Sequence, residues 1–265
     1  MKFRDAAKLV LSPRALHARR ELERVRKQPR HTPGKTTLFG RSIQYVDSSS
    51  YFFLHEEIFK EEIYNFRTAS TCPRIIDGGA NIGLSVIYFK RRYPGARITA
   101  FEADPFVAEV LRKNIAAHDL KDVDAQAEAL WTSDGQLSFE PDGADGGRVT
   151  LLDDGKTQIP AVALWRYLEE PVDFLKLDIE GAEYEVLKSC RDRLGVVDKA
   201  FIEYHSKAGE PQQLSELLAL LKEAGFRCFV TAPSVFSPKP LQEIKSYAGF
   251  DMVLNVFCVR PSPRP

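Results

Sequence analysis

The stretch Arg74-Ile75-Ile76-Asp77-Gly78-Gly79-Ala80-Asn81-Ile82-Gly83 reads as a short apolar strand that runs into a glycine-rich turn and then a helix. Such a turn needs residues that tolerate positive φ, and backbone without Cβ atoms lets a ligand lie against it; Gly79 and Gly83 meet that need. The helix that follows leaves its first N–H groups unpaired, so the positive end of its dipole favours an anionic or polar group in the turn. Ile82, Val86, Phe89 and Tyr93 recur at helical spacing and Pro94-Gly95 end the run, so one apolar face packs back onto a sheet.

Outward from this stretch, Ile98-Thr99-Ala100-Phe101 is a second buried strand, and it ends in Glu102. A carboxylate at that strand end sits beside the first turn and can accept both hydroxyls of a ribose. The turn departs from G-x-G-x-x-G: Asp77 opens it and Asn81 occupies a glycine position. A dinucleotide pyrophosphate is repelled by a carboxylate at the entrance, whereas the amino group of a methionine moiety is attracted. The turn therefore favours S-adenosylmethionine over NAD, with a nicotinamide-dependent oxidoreductase as the alternative. Asp104-Pro105 caps and starts the next helix, whose buried side carries Val107, Val110, Leu111, Asn114 and Ile115, and a third strand is expected over Val123–Ala129.

A further strand, Val172 to Asp178, delivers Asp178, Glu180 and Glu183 to one carboxyl end. Three acids packed there repel one another unless a cation, a substrate hydroxyl or a sulfonium lies close. The structural alternative is that Asp178 caps the helix through Tyr184 and Leu187, while Glu183 supplies its first-turn charge. The strand Lys199–His205 ends on the same face. His205 is a candidate general base, since an unperturbed imidazole titrates near pH ~6.5, or a structural residue bonded to backbone. Glu203 either orients His205 or pairs with Asp178 around a divalent ion; no recognisable ligand spacing supports a metal, and none is expected.

Asp77 to Gly83 resembles motif I (D/E-x-G-x-G-x-G) of the class I S-adenosylmethionine-dependent methyltransferases, with Asn81 replacing the middle glycine. Together with Ala100-Phe101-Glu102-Ala103-Asp104-Pro105 and the run from Asp173 to Leu187 (DFLKLDIEGAEYEVL), it resembles the FkbM family over roughly Tyr45 to Val259. The resemblance implies an α/β fold: a doubly wound, seven-stranded, mostly parallel Rossmann-like sheet with an antiparallel last strand and an N-terminal helical and hairpin extension. It implies S-adenosylmethionine held by Asp77, Gly78, Gly79, Ala80, Asn81 and Gly83 at the methionine end and by Glu102 and Ala103 at the ribose. Glu128 and Ala129 would meet the adenine, and Asp178 the amino group or the acceptor. Catalysis would fall to His205, with Glu180 in reserve and Asp178 beside them. The implied reaction is O-methylation of a hydroxyl on a sugar, glycan or natural product; a catalytically silent cofactor-binding module is the other alternative.

Equal numbers of acidic and basic residues, 37 each, give a neutral chain, so nothing points to nucleic acid or an anionic membrane as an obligatory partner. Cys72, Cys190, Cys228 and Cys258 are widely spaced and read as free thiols of a reducing compartment. No apolar run has membrane-spanning length, and the expectation is a cytoplasmic protein with a small-molecule or glycan acceptor. Three regions are expected: residues 1–35, a basic arm and linker; 36–70, a hairpin and a helix over Leu54–Phe66; and 71–265, the methyltransferase domain. Within the last, Gln136–Glu140 and Arg148–Leu152 suggest an inserted hairpin near 135–155 around an acidic, glycine-rich tip. A helix near Ala163–Glu169 follows it, and a leucine-rich helix from Leu214 ends at Gly225. The proline-bearing connection from Ala232 to Phe250, between the last two strands, is expected to face the substrate.

Overall fold

The computed structural model describes residues 13–140, 147–150, 157–234 and 236–261. Helix α1 (Pro13–Arg26) precedes a hairpin of β1 (Gly34–Leu38) and β2 (Arg41–Tyr45), then α2 (Ser48–His55), which runs on as a π turn over Glu56–Lys60. The first half of the core alternates β3 (Arg74–Gly78), α3 (Leu84–Arg92), β4 (Arg97–Phe101), α4 (Pro105–Ala117) and β5 (Val123–Gln126). An insertion carries β6 (Ala129–Trp131), β7 (Gly135–Glu140), β8 (Arg148–Thr150) and β9 (Thr157–Ala163). The second half is β10 (Val172–Leu177), α5 (Glu183–Ser189), β11 (Val197–Lys207), α6 (Leu214–Glu223), β12 (Arg227–Thr231) and β13 (Phe250–Val259).

Seven strands form the main sheet in the order β12-β13-β11-β10-β3-β4-β5. Strands β3, β4, β5, β10 and β11 pair in parallel, and β13 runs antiparallel to both β11 and β12, as the resemblance implied. Successive side chains of a strand buried on both faces enter different cores. Ile75, Phe174 and Phe201 join α3, α4 and the hairpin residues Ile43 and Tyr45 on one side. Ile76, Leu175 and Ile202 join α5 and α6 on the other. The strand order reverses between β3 and β10, and ligands of such sheets bind in the crevice outside the carboxyl ends at that point. Asn114 of α4 ties the extension to the glycine-rich turn: its Nδ2 donates to the carbonyls of Gln44 (2.9 Å) and Ile82 (2.8 Å), and its Oδ1 accepts from Gln44 N–H (2.8 Å).

Several elements differ from the sequence reading. The helix expected over Leu54–Phe66 begins earlier, because Asp47 caps it by accepting from Ser50 N–H at 2.9 Å, and it ends before Glu62, which turns left-handed (φ 53°). The third strand stops at Gln126; Ala129–Trp131 instead pairs with Ala161–Ala163 in a separate four-stranded sheet, β6-β9-β7-β8. Strand β9 had no counterpart in the reading; its Pro160 pairs in register with Gln136 of β7 and lies just beyond the end of the β6 pairing. The helix expected near Ala163–Glu169 is a single 3₁₀ turn, Leu164–Tyr167. The amino-terminal part of the basic arm and the tip at 141–146 lie outside the described residues. No helix among the described residues is long and apolar enough to cross a membrane. All four cysteines are free thiols, with Cys228 and Cys258 facing each other across β12 and β13 at 3.7 Å.

Phe174 of β10 stacks on Phe66 (ring centroids 4.7 Å) and leans on Phe89 (5.5 Å), which fastens the extension to the sheet. Phe174→Ala is expected to lower the unfolding free energy by about 3–5 kcal/mol in denaturant titrations, from lost burial plus the cavity left behind.

Candidate active site

A cavity of about 830 Å³ opens at the carboxyl ends of β3, β4, β10 and β11. Its rim begins at the glycine-rich turn. Gly79 and Ala80 donate their N–H groups to the carbonyl of Phe101 (3.0 and 2.9 Å), which locks the turn to β4. Gly79 is left-handed (φ 76°), and a Cβ there would lie 1.8 Å from the Asp178 carbonyl oxygen. Asn81 is also left-handed (φ 49°), a conformation asparagine tolerates better than most residues, and its Oδ1 accepts from Ile82 N–H at 2.6 Å. That local bond explains how asparagine stands where the motif has glycine.

Glu102 sits next to this turn. Its carboxylate accepts from Asn81 N–H (2.8 Å) and Asp104 N–H (2.9 Å). Burial pushes its pKa up to about 7, against those two N–H groups, which favour the charged form. Ala103, Glu128, Ala129 and Leu130 continue the wall from Glu102. Of the residues expected at the cofactor, Gly79, Ala80, Asn81, Glu102, Ala103, Glu128, Ala129 and Asp178 line the cavity. Asp77, Gly78 and Gly83 stand behind it, fully or largely buried. Asp77 accepts from Ser85 Oγ (2.5 Å) and lies 3.4 Å from Lys176 Nζ, so it bears on the cavity only through its neighbours.

On the facing side the acids of β10 and β11 gather. Asp178 Oδ2 lies 3.3 Å from Lys176 Nζ, the nearby cation that the acidic cluster requires. Burial opposes charge on Asp178, but Lys176 and then His205 hold its pKa below the usual carboxylate range. Glu203 behaves oppositely: burial and the Asp178 charge push its pKa well above the ordinary carboxylate range. His205 Nδ1 is 3.1 Å from Glu183 Oε1 and its Nε2 is 3.7 Å from Glu180 Oε2. Burial would lower its pKa, yet Glu183 and Glu180 outweigh burial and raise it well above the ordinary value. That shift disfavours the neutral imidazole expected of a general base. Glu183, expected either in the site or as helix-end charge, opens α5 and is buried behind the cavity wall. Its Oε1 accepts from the backbone N–H groups of Ile179 (3.1 Å) and Gly181 (3.0 Å) as well as facing His205.

Sequence reasoning passed over two groups. Lys176 was read only as part of a strand, although a lone lysine in the apolar run Val172–Leu177 was a usable signal. Glu57 lines the cavity from the π turn that ends α2, and no sequence signature announces such a turn. Burial, then the charges of Asp178 and Glu61, push its pKa up to about 7. Phe53, Leu54 and Ile58 from the same segment and Phe236, Tyr247 and Phe250 from the expected substrate-facing connection supply an apolar wall.

The family model described as the methyltransferase FkbM domain matches residues 77–228. Methyltransferase sdnD of Sordaria araneosa is 30% identical over 213 residues, covering 66% of this chain and 81% of that protein. Methyltransferase 1 of Beauveria bassiana is 28% identical, covering 70% and 85% respectively. The 31-O-demethyl-FK506 methyltransferase FkbM of Streptomyces tacrolimicus is 24% identical, covering 77% and 93%. Among solved structures, methyltransferase FkbM from Methylobacillus flagellatus KT superposes with a TM-score of 0.50 at 14% identity; the match covers 79% of this chain and 51% of that one. That likeness and the strand order identify the fold as that of the class I methyltransferases.

The two glycines of the turn respond differently to a methyl group. Gly83→Ala meets only the mobile end of Leu111 (2.7 Å), whereas Gly79→Ala strikes the Asp178 backbone. Both add left-handed strain, so Gly79→Ala is expected to be the less stable of the two by at least about 2 kcal/mol in thermal or denaturant unfolding.

Proposed function

The chain belongs to the FkbM methyltransferase family, and from that premise we propose that it moves the methyl group of S-adenosylmethionine to a hydroxyl oxygen of a natural product or sugar. The observation that carries this reading is the single cavity that joins the Asn81–Glu102 rim to the acids at Asp178 and Glu203. When bound, S-adenosylmethionine supplies an electrophilic methyl: the S–C bond breaks as the O–C bond forms, and the electron pair returns to sulfur.

In this reading the turn Gly79–Asn81 receives the methionine end, Glu102 accepts from the ribose hydroxyls, and Glu128 with Ala129 borders the adenine. Asp77, Gly78 and Gly83 act from behind, by shaping the turn. The apolar wall from Phe53, Phe236 and Phe250 orients the body of the acceptor and excludes water. Glu57 takes the hydroxyl proton, since its pKa of about 7 suits a group that accepts a proton near neutral pH. That assignment replaces His205 and its reserve Glu180, which hold each other as an ion pair. A nicotinamide-dependent reaction gives way to the family match. A cytoplasmic setting fits the free thiols and remains part of the proposal.

Two measurements test the reading. Calorimetry should show one S-adenosylhomocysteine site per chain; binding of NAD with no such site would overturn it. Because Glu102 is ionised only above about pH 7, affinity should fall about tenfold between pH 8 and pH 6, and Glu102→Gln should weaken binding and flatten that dependence. In radiolabelled methyl transfer to a panel of alcohols, Glu57→Gln should lose about 10²–10⁴-fold in kcat while keeping cofactor affinity. Cofactor binding without transfer to any acceptor would favour the catalytically silent module.

A further inference from the structure

Opposite Glu102 in the cavity, three donors from two neighbouring strand ends converge. Asp178 follows β10, while Glu203 and His205 lie two residues apart on β11 and therefore share a face. One ring nitrogen of His205 and one carboxylate oxygen from each acid all lie within 4.8 Å of one another. The span is about twice the ~2.1 Å bond that a small divalent cation makes to oxygen, so an ion between them needs only small side-chain shifts.

The orientation of His205 is the second observation. Glu183 is buried to 1% exposure, and its Oε1 already accepts two backbone N–H groups, which fixes it as an acceptor. His205 must then donate from Nδ1, and Nε2 is the nitrogen left for the cavity. The residue is 8% exposed and lines the cavity, and the ion-pair partner of its Nε2, Glu180 Oε2, stands 3.7 Å away, beyond hydrogen-bond length. A nitrogen held only by a loose ion pair can exchange that partner for a ligand at bonding distance. A carboxylate on the far nitrogen is how proteins aim histidines at metal ions. Charge points the same way. Asp178 and Glu203 come from different strands yet bring carboxylate oxygens within 4.8 Å of one another, which favours a cation between them, and Lys176 is already shared between Asp77 and Asp178.

We propose that Asp178, Glu203 and His205 bind one divalent cation of the Mn²⁺ or Mg²⁺ class, with Glu183 as the positioning residue that aims His205. Two carboxylates and one imidazole suit a hard-to-borderline ion, and three protein ligands leave about three octahedral positions for water or for oxygens of the acceptor. The acceptor's coordination rests on the methyl-transfer reading given above; the ion site itself does not.

The test is titration of the chelator-stripped full chain with MnCl₂, followed by the electron paramagnetic resonance signal of free Mn²⁺. One equivalent should disappear from the free signal per chain. Glu203→Gln should weaken binding at least tenfold, and Glu183→Gln, which removes no ligand, by about 10–100-fold. Glu102→Gln, at the far end of the cavity, should leave Mn²⁺ affinity unchanged. If the wild-type chain leaves all Mn²⁺ free, or if Glu203→Gln binds it as tightly, the site does not exist and His205 serves as a cation between Glu183 and Glu180. The wild-type titration decides the matter even if a variant fails to fold. Mn²⁺ uptake without S-adenosylhomocysteine binding would keep the ion site and remove the methyl-transfer reading, while the reverse would do the opposite.

Discussion

Lys176 carries its ammonium into the centre of the sheet, where Nζ lies 3.4 Å from Asp77 Oδ1 and 3.3 Å from Asp178 Oδ2 and donates to the carbonyls of Gly78 (3.3 Å) and Gly79 (3.0 Å). Burial alone would drive the amine neutral, but Asp178 and Asp77 outweigh it and raise its pKa above the ordinary lysine value. No hydrogen bond reaches Asp77 Oδ1, so among the described residues the ammonium is its compensation. Removing one member of such a group typically costs about 3–5 kcal/mol, because the others are left as uncompensated buried charge. The same cation makes it possible to keep an ionised Asp178 at the cavity edge. Stability of the sheet and the charge of the site thus depend on one side chain.

Around that cation three strand ends are stitched together by backbone. Asp178 N–H donates to Gly78 O (3.1 Å), joining β10 to β3, and the Gly79 and Ala80 N–H groups reach Phe101 O, joining β3 to β4. Glu102 then closes the loop through Asn81 N–H. The fit leaves no room for a side chain at Gly79, which accounts for a glycine there more directly than any demand of a ligand. Left-handed backbone recurs at Asn81, Glu180 and Gly181, at the tips of the two turns that face each other across the crevice. Non-glycine residues in that region store strain of order 1–3 kcal/mol, tolerated where the surroundings over-determine the conformation.

What the sequence made legible follows from range. Ile75 and Ile76, or Phe174 and Leu175, are apolar on both strand faces, so the parallel core could be read from local runs alone. The turn at Gly79 and the carboxylate at Glu102 were legible because their spacing along the chain is fixed by one strand-helix-strand unit. The start of α2 was written in Asp47 and the serines after it, a cap signal that the apolar spacing further on concealed. Strand β9 was hidden because its pairing partners Ala129–Trp131 and Gly135–Glu140 are brought to it by register, which no local pattern encodes. The charge state of His205 was illegible for the same reason. It depends on Glu183 and Glu180 across a neighbouring strand end, and no property of the histidine itself reveals them.

The extension joins the site through one connected path. Asp47, fully buried, accepts from Ser50 N–H to start α2 and from His31 N–H (2.5 Å) to hold the linker, and it lies 3.6 Å from Arg30 Nε. Arg30 in turn donates to the Tyr247 hydroxyl (2.5 Å), in the connection that also lines the cavity. A single carboxylate therefore caps the helix that presents Phe53 and, through the π turn, Glu57, while its arginine partner bonds to the aromatic connection beside it. The π turn has a clear structural consequence. Its wider bonding, Glu61 N–H to Glu56 O at 3.0 Å, adds a residue to the turn and rotates those that follow away from the register of α2. Within that turn Ile58 is buried in the core, and Glu57 and Ile58 both border the cavity.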